Sequence, residues 1–125
     1  MTAVQVLVLM LLAHFVGDFT LQIMSKMEDF KQKNWWDKIC GGKVFPTYRY
    51  DYIAGLICHA TYWSILVCLP LWHSKYLLVA IIVNAATHAF VDDLKANRQA
   101  ISLCRDQAFH AMQIIATWLL MRVWM

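Results

Sequence analysis

The sequence predicts an all-α protein: a polytopic membrane four-helix bundle formed by one domain spanning residues 1–125. Three observations predict it. Hydrophobic residues make up 61% and charged residues 15% of the 125 positions, against roughly 45–50% and 25% in soluble domains. A soluble chain this short buries too little surface to hide that much apolar side chain, so lipid must cover the rest. Four stretches match the length of about 20 mostly apolar residues that a helix needs to cross a bilayer. Ionisable residues within those stretches recur at helical spacing.

In chain order, the four stretches are about Ala3–Met24, Tyr52–Leu71, Tyr76–Leu94 and Ile101–Val123. The first reads as a retained helix rather than a cleaved signal. No basic residue precedes Lys26, and the apolar run is longer than a signal h-region. A mixed polar loop, residues 25–51, follows, with Trp35-Trp36, the turn-forming Gly41-Gly42 and an interfacial helical turn around Glu28–Trp36. Pro70, Trp72, His73 and Lys75 make the second turn, and Asn97 and Arg98 the third. Tyr48, Tyr50, Tyr52, Trp72 and Tyr76 read as an interfacial aromatic belt.

Loop charge sets the expected orientation, because cytoplasmic loops are rich in Lys and Arg. Of the eleven Lys and Arg residues, nine lie in the first and third loops or their flanks: Lys26, Lys31, Lys33, Lys38, Lys43, Arg49, Lys95, Arg98 and Arg105. Lys75 and Arg122 lie opposite. Both termini are therefore expected outside, with the long loop in the cytoplasm. The net charge of +3 is explained by topology and gives no reason to expect nucleic acid. Cys40, Cys58, Cys68 and Cys104 show neither a disulfide framework nor ligand spacing; Cys58 and Cys68 read as buried small apolar residues.

Charged groups inside a bilayer cost roughly 2.5–3.5 kcal/mol each on insertion scales, so they face a bundle interior and serve a function. The first helix carries His14 and Asp18, the second His59, the third His88 and Asp92, and the fourth Asp106 and His110. The three pairs are each four residues apart, so each shares a helix face. Gln22, Asn84, Ser102, Gln113 and Thr117 extend these faces, while Asp93 points elsewhere. At about 1.5 Å rise per residue, all seven ionisable groups lie roughly 5–15 Å from the cytoplasmic helix ends. Chain direction alternates between helices, and the order His-x-x-x-Asp inverts accordingly to Asp-x-x-x-His. One shared site requires this arrangement.

Four imidazoles and three carboxylates in a low-dielectric interior call for a cation. His nitrogen with Asp oxygen suits Zn, Mn or Fe, and seven groups suffice for two metals. In an alternative division, three or four are ligands and the others orient them. The candidate ligands are His14, Asp18, His59, His88, Asp92, Asp106 and His110. Asp18, Asp92 and Asp106 are also the candidate catalytic carboxylates, and Gln22, Asn84 and Gln107 the candidate substrate- or water-binding amides. Two other readings stay open. Intramembrane polar residues also serve as interhelical hydrogen-bond partners, worth about 0.6 kcal/mol on average, or as proton and ion pathways. The isolated serines lack a Ser-His-Asp setting. His73 reads as a surface residue, and Arg105 as an anchor or a clamp for an anionic headgroup.

The segments His14-Phe-Val-Gly-Asp18-Phe-Thr-Leu-Gln22, the lone His59, His88-Ala-Phe-Val-Asp92-Asp-Leu-Lys95 and Asp106-Gln-Ala-Phe-His110 resemble those of domain-of-unknown-function family 3307. Its members are small multi-helix membrane proteins of bacteria, prophages and phages. The resemblance implies a bacterial inner membrane, or a host membrane if the chain is phage-encoded. It also implies that the cluster is one site, and it brings no substrate with it.

The leading expectation is an intramembrane metal-binding protein: a metal-dependent hydrolase acting on a lipid or a membrane-associated ester or phosphoester. The rival is a non-enzymatic membrane protein, either an ion or proton conductor or a modulator of the host envelope. Expected partners are membrane lipid and, as an option, further copies of the chain.

Overall fold

The computed structural model describes residues 1–39, 41 and 48–123. Cys40, Gly42 and Lys43, considered above as a thiol, a turn residue and a topology-setting cation, lie outside the described residues. Among those described, the chain is all-helical: α1 (Ala3–Met24), α2 (Met27–Phe30), α3 (Trp35–Ile39), α4 (Asp51–Leu71), α5 (Leu77–Ala96) and α6 (Leu103–Val123). The expected interfacial turn at 28–36 is thus two short helices. The four long helices fall within two residues of the expected boundaries.

Local chemistry sets the ends. Thr2 opens α1 with a capping box: its hydroxyl accepts from the Gln5 N–H, and the Gln5 side chain accepts from the Thr2 N–H. Lys26 takes a left-handed conformation (φ 54°) just past α1 and turns the chain into α2. Pro70 sits in the 3-10 turn Leu69–Leu71 that closes α4. Gln99, also left-handed (φ 51°), lies in the turn between α5 and α6.

The long helices close a ring in which α1 packs on α4 and α6, and α5 packs on α4 and α6. The connections at 72–76 and 97–102 are short, which makes their helices antiparallel neighbours. The interior divides in two. Away from the long loop it is apolar, with Val6, Met10, Val67, Leu71, Ile114 and Met121 buried. At the loop end it is polar. The outer faces carry apolar side chains such as Val8, Leu12, Ile57, Ile82, Met112 and Leu119, the reverse of a soluble bundle.

By length and composition, α1, α4 and α5 can each cross a membrane. The fourth long helix, α6, falls outside that group because Arg105, Asp106, Gln107, His110, Gln113 and Arg122 lower its mean hydropathy. One expectation fails at Cys58, which is exposed on the outer face of α4, while Cys68 is buried. Cys58 precedes the inward-facing His59, and consecutive helical positions point about 100° apart.

Two contacts fix the approach of the long loop. A Cβ at Gly55 would lie 2.8 Å from the Phe30 carbonyl oxygen, so glycine is what lets α2 touch the α4 backbone there. Asn97 then holds the chain on both sides of residue 32: its amide donates to the Lys31 carbonyl (3.1 Å), and its side-chain oxygen accepts from the Lys33 N–H (2.7 Å). Together they drive the Lys31 side chain inward.

Candidate metal centre

All seven predicted groups are buried at the loop end of the ring. Asp18 lies in a π-helical turn, Val16–Leu21, inside α1. Such turns are frequent at functional sites. Gly17 in the same turn leaves room for the Trp63 ring, 3.0 Å from where a Cβ would stand.

Two imidazole nitrogens, His59 Nε2 and His88 Nε2, lie close to two carboxylate oxygens, Asp18 Oδ1 and Asp92 Oδ2. The two imidazole nitrogens are 3.0 Å apart. His59 Nε2 lies 3.3 Å from Asp18 Oδ1 and 3.2 Å from Asp92 Oδ2. His88 Nε2 lies 3.5 and 3.7 Å from the same two oxygens. Four ligands about 2.0–2.1 Å from a tetrahedral ion stand about 3.3 Å apart. The five separations from the two imidazole nitrogens, 3.0–3.7 Å, bracket that value.

A second group adjoins the first. His110 Nε2 lies 3.3 Å from Asp106 Oδ1, 3.5 Å from Asp92 Oδ1 and 3.9 Å from Asp18 Oδ2. Asp18 and Asp92 therefore turn one oxygen towards each group. Asp18 Oδ1, Asp106 Oδ1 and His110 Nε2 are buried and have no hydrogen-bond partner. Buried polar atoms left without a partner are costly, and the two carboxylate oxygens among them call for a cation or a proton. The described residues thus hold buried His/Asp groups able to bind a metal ion: Asp18–His88–His110, His59–His88–Asp92 and Asp92–Asp106–His110.

The neighbours set the imidazole orientations. Tyr62 donates to the Gly17 carbonyl (3.3 Å), so its oxygen is left to accept from His59 Nδ1 (2.7 Å). That tautomer leaves the His59 Nε2 lone pair facing the centre. His88 and His110 face one another through Nδ1 at 3.0 Å. One proton serves that contact, so while both rings are neutral only one of them has a free Nε2 lone pair.

His14 enters differently from the other three. The Trp63 indole donates to its Nδ1 (3.0 Å), and its Nε2 faces Gln107 Oε1 (3.1 Å). The Gln107 amide donates in turn to Asp18 Oδ2 (3.0 Å) and Asp106 Oδ2 (3.1 Å). His14 and Gln107 thus form a relay that orients two carboxylates.

Gln22 donates to Glu28 and accepts from Lys31, at the loop side of the cluster. Asn84 lies apart: it bonds Ala80 O, Thr117 and Gln113, beside an apolar groove between α5 and α6 lined by Tyr76, Val79 and Leu120.

Four residues that sequence reasoning did not single out belong to the site. Tyr62 and Trp63 follow His59 by three and four positions and so share its helix face; that spacing could have found them. Lys31 has no exposed surface. Its ammonium reaches Asp92 Oδ2 (2.7 Å), Gln22 Oε1 (2.8 Å) and Glu28 Oε2 (3.3 Å). Lys95 similarly reaches Asp106 Oδ2 at 3.1 Å.

No curated protein and no solved structure matches the chain. Residues 6–125 match the family described as protein of unknown function (DUF3307). This span contains every residue of the centre, and the chain belongs to that family.

Proposed function

We propose that the chain is a membrane-embedded metalloprotein with hydrolytic activity towards an ester or phosphoester at the membrane surface. The observation that carries the reading is the pair His59 Nε2 and His88 Nε2, 3.0 Å apart, with Asp18 Oδ1 and Asp92 Oδ2 each within 3.2–3.7 Å of both nitrogens. Zinc suits such an N/O set best, with manganese and iron as competitors. His59, His88 and Asp18 are the three constant ligands. Asp92, shared with Lys31, completes the fourth position or leaves it to water, as a catalytic site requires.

A bound divalent cation would lower the pKa of a water and polarise the ester carbonyl or phosphoryl oxygen. The water oxygen bonds to that carbon or phosphorus as the bond to the leaving oxygen breaks. One proton passes to a carboxylate, and a proton is returned to the leaving oxygen. Asp106 and His110, 3.3 Å apart beside the ligand set, are placed for these transfers.

The membrane setting is part of the proposal. The outer face of α6 exposes Leu103, Phe109, Met112, Ile115, Leu119 and Leu120, so α6 crosses with its polar residues turned inward, as the fourth span of a bundle. The loop charge bias puts both termini outside and the centre near the cytoplasmic surface of a bacterial inner membrane, or of the host's if the source is a phage.

A second reading, proton conduction, draws on the series Tyr62 Oη, His59, His88, His110 and Asp106, in which the imidazole–imidazole steps are 3.0 Å. The apolar half of the interior, with Trp63, Val67 and Leu71 fully packed, argues against a continuous path.

Metal content of the purified chain, with His88→Ala and Asp106→Ala beside it, tests the proposal together with chelator-sensitive cleavage of a chromogenic phosphoester. Stoichiometric metal that falls in His88→Ala, with cleavage lost in both variants, is expected. A wild-type chain that takes up neither zinc nor manganese ends the metalloprotein reading. Proton flux in vesicles that disappears with Asp92→Asn would favour conduction instead.

A further inference from the structure

Two ammonium groups enter the cluster from its loop end, and each rests on a different carboxylate. Lys31 holds Asp92 and Lys95 holds Asp106. A recess of about 490 Å³ opens beside them, lined by polar Gln22, Glu28, Lys95 and Gln107 and by apolar Phe19 and Leu103. It reaches Asp18 at its inner wall. Lys31 does not line the recess, but its partners Gln22 and Glu28 do. The acidic groups facing the two lysines are Asp18, Asp92 and Asp106, all buried, and Glu28, whose side chain is 41% exposed.

We propose that Lys31 and Lys95 are an oxyanion-binding pair, recruited when a metal takes over the carboxylates, and that the recess admits a substrate bearing a phosphoryl group. This rests on the metal reading above. Three buried carboxylates and the half-exposed Glu28 against two ammonium groups leave the cluster two negative charges in excess. A divalent cation cancels this excess, and displacing Glu28 then leaves one positive charge. Lys31 and a cation then compete for the same oxygen, Asp92 Oδ2, which lies 3.2 Å from His59 Nε2. Lys31 then keeps only Gln22 Oε1 and the half-exposed Glu28, and a buried ammonium so weakly compensated favours a further anionic acceptor. A phosphoryl oxygen arriving through the recess supplies it. Glu28 is the half-exposed acid that such a ligand displaces. Lys31 binds the oxyanion directly under this proposal, while Glu28 acts as a gate.

The test is calorimetry on the full chain in a maltoside detergent, which carries no phosphate of its own. Zinc is titrated first, then inorganic phosphate, into both zinc-loaded and zinc-free protein. Phosphate is expected to bind only the loaded form. Lys31→Met should tighten zinc and weaken phosphate, each by about tenfold, the size of one charge-assisted hydrogen bond. Lys95→Met, at a partly exposed position, should weaken phosphate in the same way and serves if Lys31→Met does not fold. Glu28→Gln should tighten phosphate. A short-chain phosphatidic acid is the second ligand. If it binds more tightly than phosphate, the source is a lipid headgroup; equal binding points to a soluble phosphoryl compound, and either supports the pair. Parallel loss of zinc and phosphate in both lysine variants would overturn the proposal, since it would mark the lysines as structural. So would phosphate binding that ignores zinc. Zinc binding without phosphate binding overturns this proposal alone, whereas no zinc binding overturns the metal reading beneath it.

Discussion

The indole of Trp63 stacks on the imidazole of His88, with centroids 4.0 Å apart and planes inclined by 17°. The same indole donates its N–H to His14 Nδ1 at 3.0 Å. One fully buried side chain therefore fixes the plane of a candidate ligand and starts the relay from His14 through Gln107 to Asp18 and Asp106. Groups that orient ligands typically contribute 10–100-fold to metal affinity. Trp63→Phe keeps a ring over His88 and removes the N–H. Zinc affinity should fall about tenfold while the helical circular dichroism is unchanged. An unaltered affinity would show that the relay orients nothing.

The Lys31–Asp92 pair makes a separate prediction about stability. Both side chains are buried, and removing one partner of a buried pair costs roughly 3–5 kcal/mol because the other is left uncompensated. Asp92→Asn should therefore lower stability in detergent by several kcal/mol, and Lys31→Met by less, since Asp92 keeps the imidazoles of His59 and His110 nearby. The double variant should recover much of the loss, giving a favourable coupling in a double-mutant cycle. Additive losses would mean that the pair is not coupled.

Gly55 gives a prediction that reaches the site through the backbone. Even a methyl group there meets the Phe30 carbonyl oxygen at 2.8 Å, and backbone cannot swing aside as a flexible side chain can. Gly55→Val should cost about 1–3 kcal/mol, the usual range for overpacking. It should also make Lys31 reactive towards an amine-acylating reagent, read by mass spectrometry. Continued protection of Lys31 would show that α2 does not carry it into the interior.

Much of this was legible in the sequence. The His-x-x-x-Asp and Asp-x-x-x-His spacings, read with alternating chain direction, placed His14, Asp18, His88, Asp92, Asp106 and His110 together, depth added the lone His59, and the structure buries all seven at one end of the ring. Asn84 was legible as an inward-facing residue, but its depth was not resolved, and it belongs to a separate network with Thr117 and Gln113. Lys31 was out of reach, because a lysine in a charged loop reads as a topology signal. Its burial depends on contacts between segments far apart in the chain, Phe30 with Gly55 and residues 31–33 with Asn97, and no local pattern encodes those. The π turn at Asp18 is invisible for a similar reason: periodicity arguments assume 3.6 residues per turn throughout.

Orientation has its own check. Nine of the eleven basic residues lie, in the sequence, in the first and third loops or their flanks, and the proposed orientation therefore has both termini outside the cytoplasm. A reporter joined after Met125 that is active only outside the cytoplasm should be active. A cytoplasm-only reporter that is active at the same position would reverse the assignment.

The central claim is that a metal sits among His59, His88, Asp18 and Asp92. X-ray absorption at the zinc edge of the zinc-loaded chain tests it most directly. The account predicts one zinc per chain with nitrogen and oxygen neighbours at about 2.0–2.1 Å, the outer-shell scattering of two imidazoles, and loss of that imidazole signal in His88→Ala. Zinc bound through sulfur at about 2.3 Å, or an imidazole signal that persists in His88→Ala, would contradict it.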